Sequence, residues 1–411
     1  MGWLSKKLKL LALRKGTHML RTWILTVSVS STLFFIYGIP YSYGVFFEHV
    51  ADELALNRAM TSLIFSINSF IFFLSGALSG SLADRYGHST IMRIGNTLLV
   101  ASLSLLSLGH SFYYVILFYG IMAGLGLGMI NSSSYPSLAR LFTNRRGLAQ
   151  GIGAAGAGFG VLIIPSVADN LVKVWGWRAS YLFLGLLASM PLYLNAYLLQ
   201  QRARKQKEDS NDKDDMLRNS QSLSLIRAMK KGSFWILFLF YLGVGAVVGT
   251  VFVHLIPFSM DMGLEREIAV TSLSFAGGAS IFGRLALGLL SDYLGRRVSL
   301  MICSLLLGGG LLLLLNAEKA WMLTYFALAF GVGWGGSVAL VPPALADLFG
   351  PSYVNSLYGI LSLAWGIGSS VAPYTGGLVF DALKSYHMIL LSIIVMMLVI
   401  TMLLIFIGKE Y

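Results

Sequence analysis

Gly80-Ser-Leu-Ala-Asp84-Arg85-Tyr-Gly87 and Gly288-Leu-Leu-Ser-Asp292-Tyr-Leu-Gly295 stand 208 residues apart and share the pattern Gly-x-x-x-Asp-x-x-Gly. Each closes an apolar stretch with a short charged turn, the second continuing into Arg296-Arg297. Pro136-Ser-Leu-Ala-Arg-Leu-Phe142 is echoed by Pro343-Ala-Leu-Ala-Asp-Leu-Phe349 at an offset of 207, and Pro165 by Pro373 at 208. A chain that repeats at about half its own length is read as two copies of one unit.

The residues around these turns say what kind of unit it is. Of 411 residues, 56% are hydrophobic and only 12% are Asp, Glu, Lys or Arg, against about 25% charged in a soluble protein. That excludes an ordinary water-soluble enzyme. Twelve apolar stretches are long enough to cross about 30 Å of hydrocarbon at about 1.5 Å per residue. Six lie between Thr22 and Leu199 and six between Phe234 and Ile407. The expected fold is an all-α membrane protein of twelve transmembrane helices in two six-helix pseudo-repeats, 22–199 and 233–408. They are joined by a polar linker at 200–232 and flanked by a basic segment at 1–21 and a tail at 409–411. The first apolar stretch has no small-residue cleavage site and belongs to the repeat, so it reads as a span, not a signal peptide.

The chain carries 12 more basic than acidic residues. With the N-terminus on the cytoplasmic side, 23 of the 30 Lys and Arg fall inside and six outside, which places both termini in the cytoplasm. The positive charge is thus accounted for by topology, and nucleic-acid binding is not expected. In the N-terminal segment Trp3, Leu4, Leu8 and Leu11 alternate with Lys6, Lys7, Lys9 and Arg14. It reads equally as an amphipathic helix on the inner leaflet or as a cationic tail that enforces topology.

Charges inside hydrocarbon are costly, so ionisable residues in mid-span mark function. Arg284 is the clear case. Its planar guanidinium suits a carboxylate held in a two-pronged fork, and the bland reading is a pair with a carboxylate from a distant helix. One fixed cation favours a monoanion over a dianion. His254, in Val-Phe-Val-His-Leu-Ile-Pro-Phe, titrates near neutral pH and is the candidate for carrying a proton or orienting substrate; a plain structural hydrogen bond competes evenly. Ser280 lies one helical turn before Arg284 on the same face, although serine in membrane helices often bonds its own backbone. Tyr37, Tyr41, Tyr119, Trp334 and Trp365 offer polar edges on aromatic bodies for the walls of a cavity.

Other motifs are discounted. Gly151-Ile-Gly153-Ala-Ala-Gly156 reads as GxGxxG but has no preceding strand or ribose-binding acid, so close helix packing through Gly156 and Gly160 explains it better. Asp84, Arg85, Asp292 and Arg296, with Arg145 and Arg146, are read as helix latches and gating groups at the cytoplasmic turns. The lone Cys303 packs. No nucleophile-base pair or metal cluster is found in the spans, so no enzyme activity, cofactor or metal is expected, and the pattern identifies no partner protein.

These residues carry a resemblance. The paired Gly-x-x-x-Asp-x-x-Gly turns resemble the signature of the major facilitator superfamily. Phe142-Thr-Asn-Arg145-Arg146-Gly-Leu-Ala149-Gln-Gly151 resembles the fifth-span segment of its monocarboxylate transporters. His254-Leu-Ile-Pro-Phe-x-x-Asp261-x-Gly263 and Phe282-Gly283-Arg284 resemble the seventh and eighth spans of their bacterial members. The resemblance implies that Arg284 is the substrate-binding arginine and that the protein is a multi-pass component of a bacterial or archaeal plasma membrane. Animal members carry an Asp where this chain has Ser280 and a Lys after a proline where it has Tyr41. Oxalate-formate exchangers, which are similar, carry a Lys in the eleventh span, and 359–377 contains none.

The expected activity is secondary transport of a small monocarboxylate of the lactate or pyruvate type together with a proton, by rocking of the two halves about the bound substrate. Arg284 holds the carboxylate, with Ser280, Tyr119 and His254 around it. An exchanger of dicarboxylates or other organic anions, and a carboxylate sensor that does not transport, are the alternatives.

Overall fold

The computed structural model describes residues 23–141, 146–209, 228–350 and 354–408; the side chains of 84, 135–141, 146–152, 154, 202–209 and 355 lie outside the described residues. The basic segment expected at 1–21 and the tail at 409–411 therefore lie outside them too. Among the described residues, ten helices are long and apolar enough to cross a membrane by length and composition.

In chain order, α1 is Trp23–Glu53, α2 Arg58–Tyr86, α3 His88–Leu106. α4 starts as Phe112–Val115, widens into a π-helix over Ile116–Ala123 and returns to α-helix over Gly124–Leu141. Arg146–Asp209 is continuous except at Gly176, where φ 73 and ψ 169 break it into α5 (146–175) and α6 (177–209). Then follow α7 Gly232–Asp261, α8 Arg266–Leu294, α9 Arg296–Leu315, α10 Ala320–Phe349, α11 Val354–Leu383 and α12 His387–Leu404. The polar segment expected from residue 200 begins as helix, because α6 continues to Asp209.

Local chemistry explains the boundaries. Pro40 has no N–H to continue the helical ladder, and α1 is interrupted two residues later at Ser42, whose hydroxyl donates to Ile39 O at 2.7 Å. Asn57 caps α2 by accepting from Met60 N at 2.9 Å. The duplicated turns have matching backbones: Gly87 ends α2 with φ 92 and ψ 135, Gly295 ends α8 with φ 82 and ψ 154. A side chain at either position would be strained.

Lipid tails are as apolar as leucine, so helices in a membrane hold together by close packing, which favours small residues at their contacts. The glycines here press on backbone, and they do so in pairs related by the sequence offset. Gly124 on α4 meets Asn68 of α2, and Gly331 on α10 meets Ala276 of α8; four residues on, Gly128 meets Phe72 and Gly335 meets Ser280. Gly160 on α5 abuts Phe34 O of α1, and Gly368 on α11 abuts Leu242 O of α7. Gly156 also seats against Ser30 O, which is the close packing expected of the glycine-rich stretch.

α7 is deeply enclosed, every residue from Gly243 to Ser259 being buried. Helices distant in sequence meet along two seams. On α2 and α11, Ser69 and Ser369 hydroxyls are 2.6 Å apart and Gly377 packs on Ala59; on α5 and α8, Ser166 and Ser274 are 3.0 Å apart and Gly277 packs on Val161 and Leu162.

Candidate functional site

Arg284 sits half-buried on α8, where the glycine contacts of Gly283, Gly331 and Gly335 draw α10 against it. Its guanidinium carbon lies 5.6 Å from the ring centroid of Trp334 on α10, within cation–π range. Trp334 in turn meets Tyr41 of α1 at 5.7 Å and Phe252 of α7 at 5.4 Å, both edge-on. Tyr41 and Phe252 stack at 4.4 Å and 9°, and Tyr41 lies within electrostatic reach of Arg284. Three helices thus build one aromatic wall beside a cation carried by a fourth.

The wall continues on both sides of Tyr41. Tyr37 is 5.9 Å from it and donates to Asn131 Oδ1 of α4 at 3.2 Å. Trp365 of α11 packs on Tyr241 at 5.0 Å and on Phe73 at 6.3 Å, and the Tyr241 and Tyr358 hydroxyls are 3.0 Å apart. The Trp365 indole N–H lies beside the Tyr41 hydroxyl without closing a hydrogen bond, and the Trp334 and Trp365 Nε1 atoms are both buried and without an acceptor. Buried donors normally have partners. An arginine fork, two indole donors and apolar ring faces are a donor set for a small organic anion with a second oxygen.

Three of the residues expected here lie elsewhere. Ser280 is fully buried between Gly158 and Gly335 and donates to Gly277 O at 2.7 Å. Tyr119, in the π-helical turn of α4, packs on Tyr43 and Tyr181 at 5.5 and 5.2 Å. His254 is two residues from Phe252, which is about 200° around a helix, so it faces α2 and α11 instead of Trp334. Its Nε2 is 2.8 Å from Pro373 O and its Nδ1 3.0 Å from the Tyr386 hydroxyl. Phe252, Asn131, Tyr241 and Tyr358 are the wall residues that sequence reasoning missed. A census extended from ionisable to amide side chains would have found Asn131, but nothing distinguishes Phe252 from other apolar span residues.

Charge gathers at the end of the bundle that carries the α1–α2 and α7–α8 turns. Arg58 Nη2 donates to Asp261 Oδ1 at 2.8 Å while Nη1 contacts Oδ2. Nη1 also donates to the Tyr386 hydroxyl at 3.0 Å, and the guanidinium lies 3.7 Å from the Phe380 ring centroid. Asp381 accepts from the N–H groups of Arg58 and Ala59 at 3.1 and 2.9 Å, the anion at a helix N-terminus. Arg266 donates to Asp169 at 3.0 Å and Glu48 at 3.1 Å, and Lys173 joins Asp169 and Glu267 at 2.9 and 2.7 Å. The exposed pair of Lys173 with Glu267 is worth about 0–1 kcal/mol, while Asp169 is buried beneath Arg266. Together these contacts tie α1, α2 and α5 to α7, α8 and α11 and seal this end.

At the other end, Arg296 pairs with Asp292 at 2.8 Å and Asp347 at 3.2 Å, latching the α8–α9 turn to α10. Arg85 is exposed, 5.3 Å from the Tyr86 ring centroid. The Asp84 and Arg146 side chains and all of Arg145 lie outside the described residues.

The family model described as Major Facilitator Superfamily matches residues 29–341 and 273–411. The oxalate:formate antiporter of Oxalobacter formigenes is 26% identical over 373 residues, covering 87% of this chain and 84% of that protein. Monocarboxylate transporter 3 of Rattus norvegicus is 27% identical over 361 residues, covering 86% and 73%. Among solved structures, a bacterial homolog of the human lysosomal transporter Spinster, inward-facing and unoccupied, matches with a TM-score of 0.72 at 15% identity over 95% of this chain and 97% of its own. With this pattern matched along the sequence and the fold matched in space, the chain belongs to the Major Facilitator Superfamily and is a multi-pass membrane transporter, not an enzyme.

Proposed function

We propose that the protein carries a small monocarboxylate of the lactate or pyruvate type across the membrane, together with a proton. The observation that supports this most is the placement of Arg284: a mid-span cation on α8, half-buried against an aromatic wall contributed by α1, α7 and α10. In this reading twelve spans form two six-helix halves, 22–199 and 233–408, with both termini cytoplasmic. The sealed α1–α2 end then faces outward. Arg284 grips the carboxylate, the Trp334 and Trp365 indoles donate to the α-oxygen, and the rings of Tyr41 and Phe252 cover the carbon chain. Tyr41 comes from the N-terminal half and the other groups from the C-terminal half, so a bound substrate touches both, and that differential interaction drives reorientation.

The test is uptake of labelled L-lactate into proteoliposomes with and without an inward proton gradient. Accumulation driven by the gradient supports the reading. Uptake that ignores the gradient and requires preloaded organic anion moves the protein to the second reading, an organic-anion exchanger, which the likeness to an oxalate:formate antiporter favours.

The indole donors allow a finer check. Trp334→Phe keeps a ring face near Arg284 and deletes the N–H, so KM for lactate is expected to rise up to about tenfold, the worth of one neutral hydrogen bond. Propionate, which has no α-oxygen, is expected to be affected less than about twofold by the same standard. Equal losses for both acids would remove the α-oxygen contact from the site.

A further inference from the structure

The geometry points to His254 as a proton-operated release for the seal at the α1–α2 end: the closed seal accommodates only a neutral imidazole, and a proton on Nδ1 opens it. This rests on the reading of that end as the outward gate, and it assigns His254 to the gate instead of to the substrate.

The hydrogen-bond directions leave one arrangement. Pro373 O is an acceptor only, so His254 Nε2, 2.8 Å away, must carry a hydrogen. In the neutral ring Nδ1 is then an acceptor, and the Tyr386 hydroxyl at 3.0 Å donates to it. The same hydroxyl oxygen accepts from Arg58 Nη1 at 3.0 Å, and arginine keeps its charge at any ordinary pH. The relay therefore runs from Arg58 through Tyr386 and His254 to Pro373, joining α2, the α11–α12 turn, α7 and α11. All four groups are satisfied at once.

A second proton on the ring turns Nδ1 into a donor. Two donors, one guanidinium and one imidazolium, would then converge on a single phenol oxygen, and the phenol hydrogen would lose its acceptor. Two cations separated by one oxygen repel in a site where burial weakens screening. The other groups facing the ring do not offset this. Ser62 of α2, 3.3 Å from Nε2, donates its own hydrogen to Arg58 O at 2.6 Å. Phe47 of α1 offers a ring at 5.6 Å. Asp261 is engaged by Arg58, and Asp381 by two backbone N–H groups. Relief comes from withdrawing Tyr386 and α11 from α7 and α2, which parts the seal. The proton leaves as the seal closes again.

A cavity of about 10 Å³ lined by Thr250, His254, Tyr386 and Leu390 among others borders the ring. It is the size of a single water molecule and has no room for a carboxylic acid. In the closed state His254 therefore meets no substrate.

The test reads conformation, not transport, so it stands whether or not lactate is carried. Asp52 and Lys384 are exposed on either side of the seal; both are changed to cysteine in a Cys303→Ser background and spin-labelled, and the distance distribution is measured in nanodiscs without substrate. From about pH 8 to about pH 5, the range over which an imidazole titrates, the ratio of long to short distances is expected to rise at least about tenfold. His254→Gln retains an N–H for Pro373 O and an oxygen for the Tyr386 hydroxyl but cannot take up a proton, so it is expected to stay closed, changing less than about twofold over that range. Tyr386→Phe, which deletes the relay without touching the imidazole, is expected to be open already at the alkaline end. A pH response in His254→Gln equal to that of the parent, or a parent that does not respond, overturns the proposal.

Discussion

Replacing Arg284 with lysine is expected to lower lactate uptake efficiency about 100-fold, and replacing it with alanine to abolish measurable uptake. Truncating one partner of a desolvated, hydrogen-bonded charge pair costs about 2–5 kcal/mol, and about 1.4 kcal/mol is a tenfold change. Lysine keeps the charge but not the fork: its ammonium is a strongly hydrated point charge on a flexible stem, while the guanidinium presents two parallel N–H groups to both carboxylate oxygens. The guanidinium also lies over the Trp334 ring at 5.6 Å, a contact an ammonium makes with different geometry. The measurement is initial-rate uptake across a concentration series, normalised to protein that elutes as a single species. Uptake by Arg284→Lys within a few-fold of the parent, with intact protein, would remove the arginine from the substrate site.

Leucine at Gly160 is expected to prevent accumulation of folded protein, and alanine there to cost about 1–3 kcal/mol of stability, the usual cost of overpacking. A Cβ at this position runs into the Phe34 carbonyl of α1, which is backbone and cannot swing aside. Gly38 lies on the same seam, where a Cβ would stand 2.6 Å from Ile164 Cγ1 and 2.9 Å from Gly160 O. Gly309 on α9 is the control. Nothing lies within 4 Å of a Cβ there, so alanine is expected to be neutral or to stabilise by about 0.5–1 kcal/mol through helix propensity. Thermal unfolding of the purified variants separates the two cases. Equal unfolding temperatures for Gly160→Ala and Gly309→Ala would mean that α1 and α5 are not pressed together as described.

Much of the fold was legible in the chain because a membrane imposes a one-dimensional rule: a span must be apolar over its length, and its backbone must satisfy itself as helix. The 208-residue offset between the turns at Gly87 and Gly295 was likewise readable, and it reappears in backbone conformation and in the glycine contacts of α5 and α11. Arg284 was legible for the same reason, since a cation in mid-span has no explanation in topology.

The neighbours of Arg284 were less legible. Serine four residues before an arginine shares its helical face, yet Ser280 turns its hydroxyl toward Gly158 of α5 and bonds Gly277 O. Which way a face points depends on the packing partner. Phe252 and His254 are neighbours in sequence but serve different places, one against Tyr41 and Trp334, the other against Tyr386 and Pro373. The seal was hidden for another reason. Arg58, Arg266 and Asp381 at the ends of spans look like ordinary topology markers, and the pairing of Arg58 with Asp261 across 203 positions leaves no trace in either residue's surroundings.

Local composition and periodicity thus suffice for the existence of the spans, their repetition and the one cation that hydrocarbon does not tolerate without purpose, because each follows from the solvent around a segment. The aromatic wall on Arg284, the relay through His254 and the seal between α2, α7 and α11 follow from contacts between segments. Those are decided when glycine-lined helix faces dock backbone to backbone, and that docking turns each side chain either to the centre or to a neighbouring helix.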